Sequence, residues 1–161
     1  MNKTLTASEL KKAFSPTPAK ANYKYGSLFR TKKWTTNGHW LLLTSKETTA
    51  LQKIRESEKE IKLTKFIKEV KRLPAYPAKI QNDIVLHKEN IYIQVKTVDN
   101  SERFNGHYLS LLTGVLPESV MYFKKYFPNK ETSINLLTFY EGETLVGIIY
   151  PITKEALAKD E

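Results

Sequence analysis

Three features of the sequence predict one α+β domain. Its 161 residues are the usual size of a single domain. Several short runs alternate apolar and polar side chains with a period of two and are separated by turn signals such as Asn37-Gly38 and Glu141-Gly142-Glu143. Other stretches carry apolar residues at helical spacing instead, most clearly Leu63, Phe66, Ile67, Val70 and Leu73. An apolar content of 40%, with 11% aromatics, is enough to build a core and too rich for a disordered chain.

In chain order, Thr4-Leu5-Thr6 reads as a short strand. Ser8 to Phe14 reads as a short amphipathic helix with Leu10, Ala13 and Phe14 inward, ended by Ser15-Pro16-Thr17-Pro18. Tyr25 to Lys32 is expected as one strand. Asn37-Gly38 makes a hairpin turn, because both residues tolerate positive φ, and leads into the apolar strand Trp40-Leu41-Leu42-Leu43. Thr44-Ser45-Lys46-Glu47 fits a capping box and opens a long helix over residues 45–73, charged from Arg55 to Glu60 and ended by Pro74 and Pro77. Ile84 to Leu86 and Ile91 to Val98 form a strand pair around Lys88-Glu89-Asn90, with Ile91, Ile93 and Val95 on the buried face. A further element starts at Phe104, and Tyr108 to Leu116 is a short apolar helix ended by Pro117. Strands follow at Val120–Phe123, Ile134–Tyr140 and Thr144–Ile149. The domain is expected over residues 1–152, with residues 153–161 a loose polar tail.

The chain has no cysteine, hence no disulfide and no thiolate metal ligand. No stretch approaches the ~18 consecutive apolar residues of a membrane span, and Met1 to Thr6 lacks the apolar run of a signal peptide. The expectation is a cytoplasmic protein with no membrane partner. Charge is unevenly divided. Residues 1–80 hold 18 Lys/Arg and 6 Asp/Glu, a balance of +12, whereas residues 81–161 hold 8 and 11, a balance of −3. Such asymmetry suits a polyanionic partner for the first half, and it also fits a merely solvated lysine-rich surface.

Residues capable of chemistry are sparse. The chain has no Gly-x-Ser-x-Gly elbow and no phosphate-cradling glycine loop. Glu56, Glu58 and Glu60 are flanked by Arg55 and lysines, which points to a salt-bridged helix surface rather than a metal-binding carboxylate cluster. His39 and His107 sit in the matching contexts Asn-Gly-His-Trp-Leu and Asn-Gly-His-Tyr-Leu, where turn and helix-start roles are the expectation over a shared metal or catalytic pair. No catalytic, cofactor-binding or metal-binding residue is therefore expected. Tyr23, Tyr25 and Trp34 lie among lysines, so base stacking and ordinary cross-strand packing both remain open for them.

The chain also repeats its element order. Strand, helix and further strands around Phe29 and Leu42 in the first half parallel strand, helix and strands around Leu137 and Ile148 in the second. Four motifs carry a resemblance on top of this order: Leu5-Thr6-Ala7-Ser8-Glu9-Leu10, Thr35-Thr36-Asn37-Gly38-His39-Trp40-Leu41, Phe104-Asn105-Gly106-His107-Tyr108-Leu109, and Leu145 to Ile152 with its Pro151. Together they resemble one domain of the bacterial sliding clamp, the DNA polymerase III beta subunit. The resemblance implies two βα-plus-strands repeats, with the 45–73 helix as an insertion. It departs from the family at Asn37, where the clamp usually has Asp, and at Trp40, where it often has Arg. A clamp subunit strings several such domains together and forms its partner-peptide groove between two of them, so ring closure, loading and polymerase tethering are not implied.

The resemblance implies DNA as partner, with helices facing the duplex and Lys11 and Lys12 turned toward it. The expected nucleic-acid-binding set is Lys11, Lys12, Lys20, Lys24, Lys32, Lys33, Lys62, Lys65, Lys68 and Arg72. Lys62, Lys65, Lys68 and Lys71 step by three, covering a broad polar helix face rather than one stripe. The functional expectation is a non-enzymatic DNA-associated protein, of a kind a phage or mobile element would carry, that contacts backbone phosphates without strong sequence preference. The alternative is a protein-interaction or inhibitor module that docks a protein partner through the 45–73 helix and exposed apolar residues such as Leu51 and Ile54. The oligomeric state is open, since a closed ring of single-domain chains would need several copies.

Overall fold

A computed structural model describes residues 28–53, 63–87 and 90–152. The strand expected at Thr4–Thr6, the helix at Ser8–Phe14, the charged run Arg55–Glu60 and the tail from Thr153 lie outside the described residues.

The fold is α+β, and among the described residues every strand pair is antiparallel. Seven strands form the larger sheet: β1 (Phe29–Arg30), β2 (Trp34–Thr36), β3 (Trp40–Leu43), β4 (Tyr76–Pro77), β8 (Val120–Tyr126), β9 (Ile134–Glu141) and β10 (Thr144–Ile149), in the order β1-β2-β3-β10-β9-β8-β4. The smaller sheet holds β5 (Lys79–His87), β6 (Asn90–Lys96) and β7 (Ser101–Asn105) in sequence order. Helix α1 is Thr64–Arg72 and helix α2 is Gly106–Val115. Among the described residues no helix is long and apolar enough to cross a membrane.

Alternation along the strands builds a core on each face of the large sheet. Leu42, Leu137, Phe139, Val146 and Ile149 face one way and pack with Leu109, Leu112 and Leu116 of α2 and its C-terminal end, and with Ile93, Val95 and Phe104 of the small sheet. Leu41, Leu136, Leu145 and Ile148 face the other way and pack under Ile67 and Val70 of α1. The register of β10 against β9 shifts between Leu145 and Gly147. That bulge puts Val146 and Gly147 on the same face, and the absent side chain of Gly147 lets Leu112 and Leu116 close on the strand. A Cβ there would lie 3.0 Å from Leu112 Cδ2 and 3.1 Å from Leu116 Cδ1.

Two expected elements differ. The strand expected from Tyr25 to Lys32 turns at Thr31, whose hydroxyl accepts from the Trp34 amide at 2.9 Å, so the chain doubles back as the β1–β2 hairpin. The helix expected over residues 45–73 is not continuous. Thr44–Lys46 is a single 3-10 turn, and Glu47 is extended with ψ of 141°. An α-helical turn at Thr49–Gln52 then starts from Thr48, which accepts from the Leu51 amide, and α1 begins separately at Thr64. The capping box is absent because both of its side chains are otherwise engaged. Thr44 Oγ1 bonds Thr35 Oγ1 at 3.1 Å, and Glu47 Oε1 accepts from Arg30 Nε at 3.0 Å. Leu51, expected on an exposed docking face, is 1% exposed and belongs to the main core. On β6, Tyr92 is buried as well as Ile93 and Val95, so both faces of that strand are covered.

Several expectations hold closely. The Asn37-Gly38 turn joins β2 to β3 with Gly38 at φ 93°, and Gly142, at φ 61°, turns β9 into β10. Leu73 ends α1 in an extended conformation, as the residue before Pro74 must. The second half runs β7, α2, β8, β9, β10 in the expected order.

Candidate nucleic-acid interface

Helix α1 lies across the large sheet by its Ile67–Val70 face, which leaves its lysines on the solvent side. The β1–β2 turn rises beside it because the Thr31 hydroxyl closes that turn, which projects Lys32 and Lys33. Between turn and helix runs a groove of about 710 Å³. Lys32 and Lys33 line one wall, Lys65, Lys68 and Lys71 line the other, and Trp34, Leu63 and Ile67 floor it. A second hollow of about 320 Å³ shares Lys32, Lys33 and Lys71 and continues toward Ser45 and Thr144. All five lysines are exposed, and among the described residues no acidic side chain lines either hollow. The one carboxylate of α1, Glu69, sits on the opposite flank, hydrogen-bonded to the Tyr126 phenol.

The far flank of α1 is anchored by aromatic rings. Phe66 meets Tyr126 edge-on at 5.1 Å and stacks on Tyr150 at 5.9 Å. Burial, reinforced by the neighbouring Tyr126, pushes the Tyr150 phenol up to about 12. The Tyr126 phenol is raised by burial and further by Glu69. Beneath the C-terminal end of α1, Lys124 is 3% exposed. Its Nζ donates to Val70 O at 3.0 Å and Lys71 O at 3.4 Å and lies 4.9 Å from the centre of the Tyr140 ring. A cation there adds a donor to the carbonyls at a helix C-terminus, Val70 O already accepting from the Leu73 amide at 3.2 Å, and meets the negative end of its dipole. Burial holds the Lys124 ammonium below the ordinary lysine value.

The groove unites four of the residues expected to bind nucleic acid: Lys32, Lys33, Lys65 and Lys68. Arg72 is exposed in the last turn of α1 but lines neither hollow. Lys11, Lys12, Lys20, Lys24 and Lys62 lie outside the described residues. Lys71 joins the site without having been selected, although the step-by-three series contained it. Lys124, which positions the helix, gave no sequence signal, since the expected strand ended at Phe123, whereas the observed one runs Val120–Tyr126. Trp34 is 7% exposed and packs with Ile67 and Val70, so of its two open roles core packing is the one realised.

The two Asn-Gly-His motifs meet on the other side of the sheet. Asn37 Oδ1 accepts from the His39 and Trp40 amides at 2.8 and 3.1 Å. Asn105 Oδ1 accepts from the His107 and Tyr108 amides at 2.9 and 3.3 Å, capping α2. The rings of His39 and Tyr108 stack at 6.0 Å, and Asn37 hydrogen-bonds the Tyr108 phenol, whose value burial raises and that bond lowers. The motif thus does the same capping work twice. Among the described residues no cluster of His, Asp or Glu could hold a metal ion.

No family model, curated protein or solved structure matches this chain.

Proposed function

We propose that the protein is a non-enzymatic nucleic-acid-binding module that grips backbone phosphates through the groove between the β1–β2 turn and α1. The observation that carries this reading is five exposed lysines on two facing walls with no carboxylate between them among the described residues. Phosphate binding needs cations held along a surface, and each contact releases counterions. Among the described residues the groove offers no exposed aromatic or amide side chain to read a base edge, so binding would be indifferent to sequence. The sliding-clamp likeness belongs to this proposal. It draws support from the β7-α2-β8-β9-β10 order and from the paired Asn-Gly-His motifs.

The test is binding to labelled single- and double-stranded DNA at about 50 and about 200 mM salt. Expected is sequence-independent binding that weakens steeply with salt and collapses in Lys65→Glu/Lys68→Glu. Absence of binding to either form at the lower salt refutes the proposal. Binding that survives this pair but is lost in Lys11→Glu/Lys12→Glu moves the contact to the N-terminal segment.

A further inference from the structure

Resting on the nucleic-acid reading of the groove, we propose that its occupant is a single phosphodiester strand rather than a duplex. The groove is amphipathic in cross-section. Its rims are ammonium groups from two separate segments, and its floor is Trp34, Leu63 and Ile67. A single strand has the matching cross-section, because it can turn phosphates to both rims and lay sugar and base faces on an apolar floor. A duplex keeps its base faces stacked inside and presents charged backbone and the polar base edges of its grooves, for which an apolar floor is a poor complement. Length agrees with this. Lys65 to Lys71 spans about 9 Å of helix axis, and the second hollow extends the track past Lys32, Lys33 and Lys71 to the hydroxyls of Ser45 and Thr144. That is a channel for a short run of consecutive nucleotides. Trp34 and Ile67 are 7% and 6% exposed and Leu63 is half-buried, so Leu63 carries most of the floor's open apolar surface, which gives neither intercalation nor base preference.

The experiment compares a mixed-sequence single strand, the same sequence as a duplex, and inorganic polyphosphate of equal charge. Each is titrated against the full chain and against Lys65→Gln/Lys68→Gln/Lys71→Gln. A control variant, Lys125→Gln/Lys130→Gln, removes exposed lysines outside the groove, and circular dichroism establishes that all variants fold. Expected is at least ~10-fold tighter binding of the single strand than of the duplex or polyphosphate, with a log–log salt slope near −3.5 for five phosphate contacts. The slope should fall to about −1.4 in the triple variant and stay unchanged in the control. Equal or tighter duplex binding that is still lost in the triple variant overturns the single-strand inference and leaves the groove as a nucleic-acid site. Equal binding of polyphosphate overturns it in favour of a plain polyanion site. No binding of either nucleic acid removes the underlying reading as well.

Discussion

Replacing Glu47 by Gln separates two roles for that residue by a wide margin. In a capping box Gln serves as well as Glu, so the substitution would cost almost nothing. In the fold, Glu47 is instead the counterion of Arg30, with Nε–Oε1 at 3.0 Å and side-chain exposures of 12% for Arg30 and 3% for Glu47. Arg30 also donates to Leu51 O at 2.9 Å, which ties β1 to the turn that buries Leu51. Removing one charge of a buried, hydrogen-bonded pair costs about 3 kcal/mol or more. For a chain of this size that is a fall of about 6–12 °C in melting temperature. Arg30→Met alone should cost a similar amount by stranding Glu47. The double variant Arg30→Met/Glu47→Leu should recover much of it, because an apolar pair of similar volume is often no worse than a buried ion pair. Urea denaturation of the wild type, both singles and the double gives the coupling. If Glu47→Gln stays within about 0.5 kcal/mol of wild type, the buried-pair account is wrong.

Alkaline stability should carry two opposite terms. Burial depresses the Lys124 ammonium below its unfolded 10.5, so as pH rises toward that value the unfolded chain binds more protons and the fold gains stability. Above about 10 the raised phenols of Tyr126, Tyr140 and Tyr150 keep protons that the unfolded chain releases, and stability falls. Urea midpoints from pH 8 to 11 should show the rise in wild type and lose it in Lys124→Met, while the later fall remains. In an ultraviolet phenol titration, Tyr150→Phe should delete the component near 12; its persistence would assign that component elsewhere. Gly106→Ala should destabilise by about 1–3 kcal/mol, since its Cβ would sit 3.1 Å from Ile91 O and 3.0 Å from Ile91 Cγ2. Gly38→Ala should cost about 1–2 kcal/mol through backbone strain alone, because φ is 93° and nothing lies within 4 Å. Thermal melts of the two, with Ile91→Ala added to each to remove Cγ2, should show partial rescue only for Gly106→Ala.

Those two glycines show what was legible and what was not. The dipeptide Asn-Gly marks both sites in the sequence, and both asparagines cap the following amides in the same way. Yet one glycine is needed for positive φ and the other for close approach of a neighbouring strand, which only the tertiary arrangement decides. Local signals placed β3, α2, β9, β10 and the apolar face of α1 well, because each rests on its own periodicity or turn chemistry. The helix expected over residues 45–73 failed where a long-range partner outcompeted a local one. Arg30, 17 positions away, takes the carboxylate that a capping box would have used. The β1–β2 turn failed for a similar reason, since Thr31 closes it with a side chain that reads equally well as a strand residue.

The groove illustrates the same limit at the level of function. A step of three along α1 gives Lys65, Lys68 and Lys71, but a row of lysines on one helix is ordinary solvated surface. The second wall turns it into a candidate site, and that wall comes from a hairpin more than thirty residues earlier in the chain. Its position also bears on the clamp likeness. Leu41 and Leu42 are neighbours on β3 and pack on opposite faces, Leu41 under α1 and Leu42 with α2. The groove therefore lies across the large sheet from α2, whereas the resemblance implies contact through the repeated helices. Binding through the groove and clamp-like binding through the helices would use different surfaces of one molecule. Charge reversal at Lys65 and Lys68 reports on the first and reversal at Lys11 and Lys12 on the second. A chain that loses affinity only to the groove variants binds nucleic acid in a manner that the sliding-clamp resemblance does not explain.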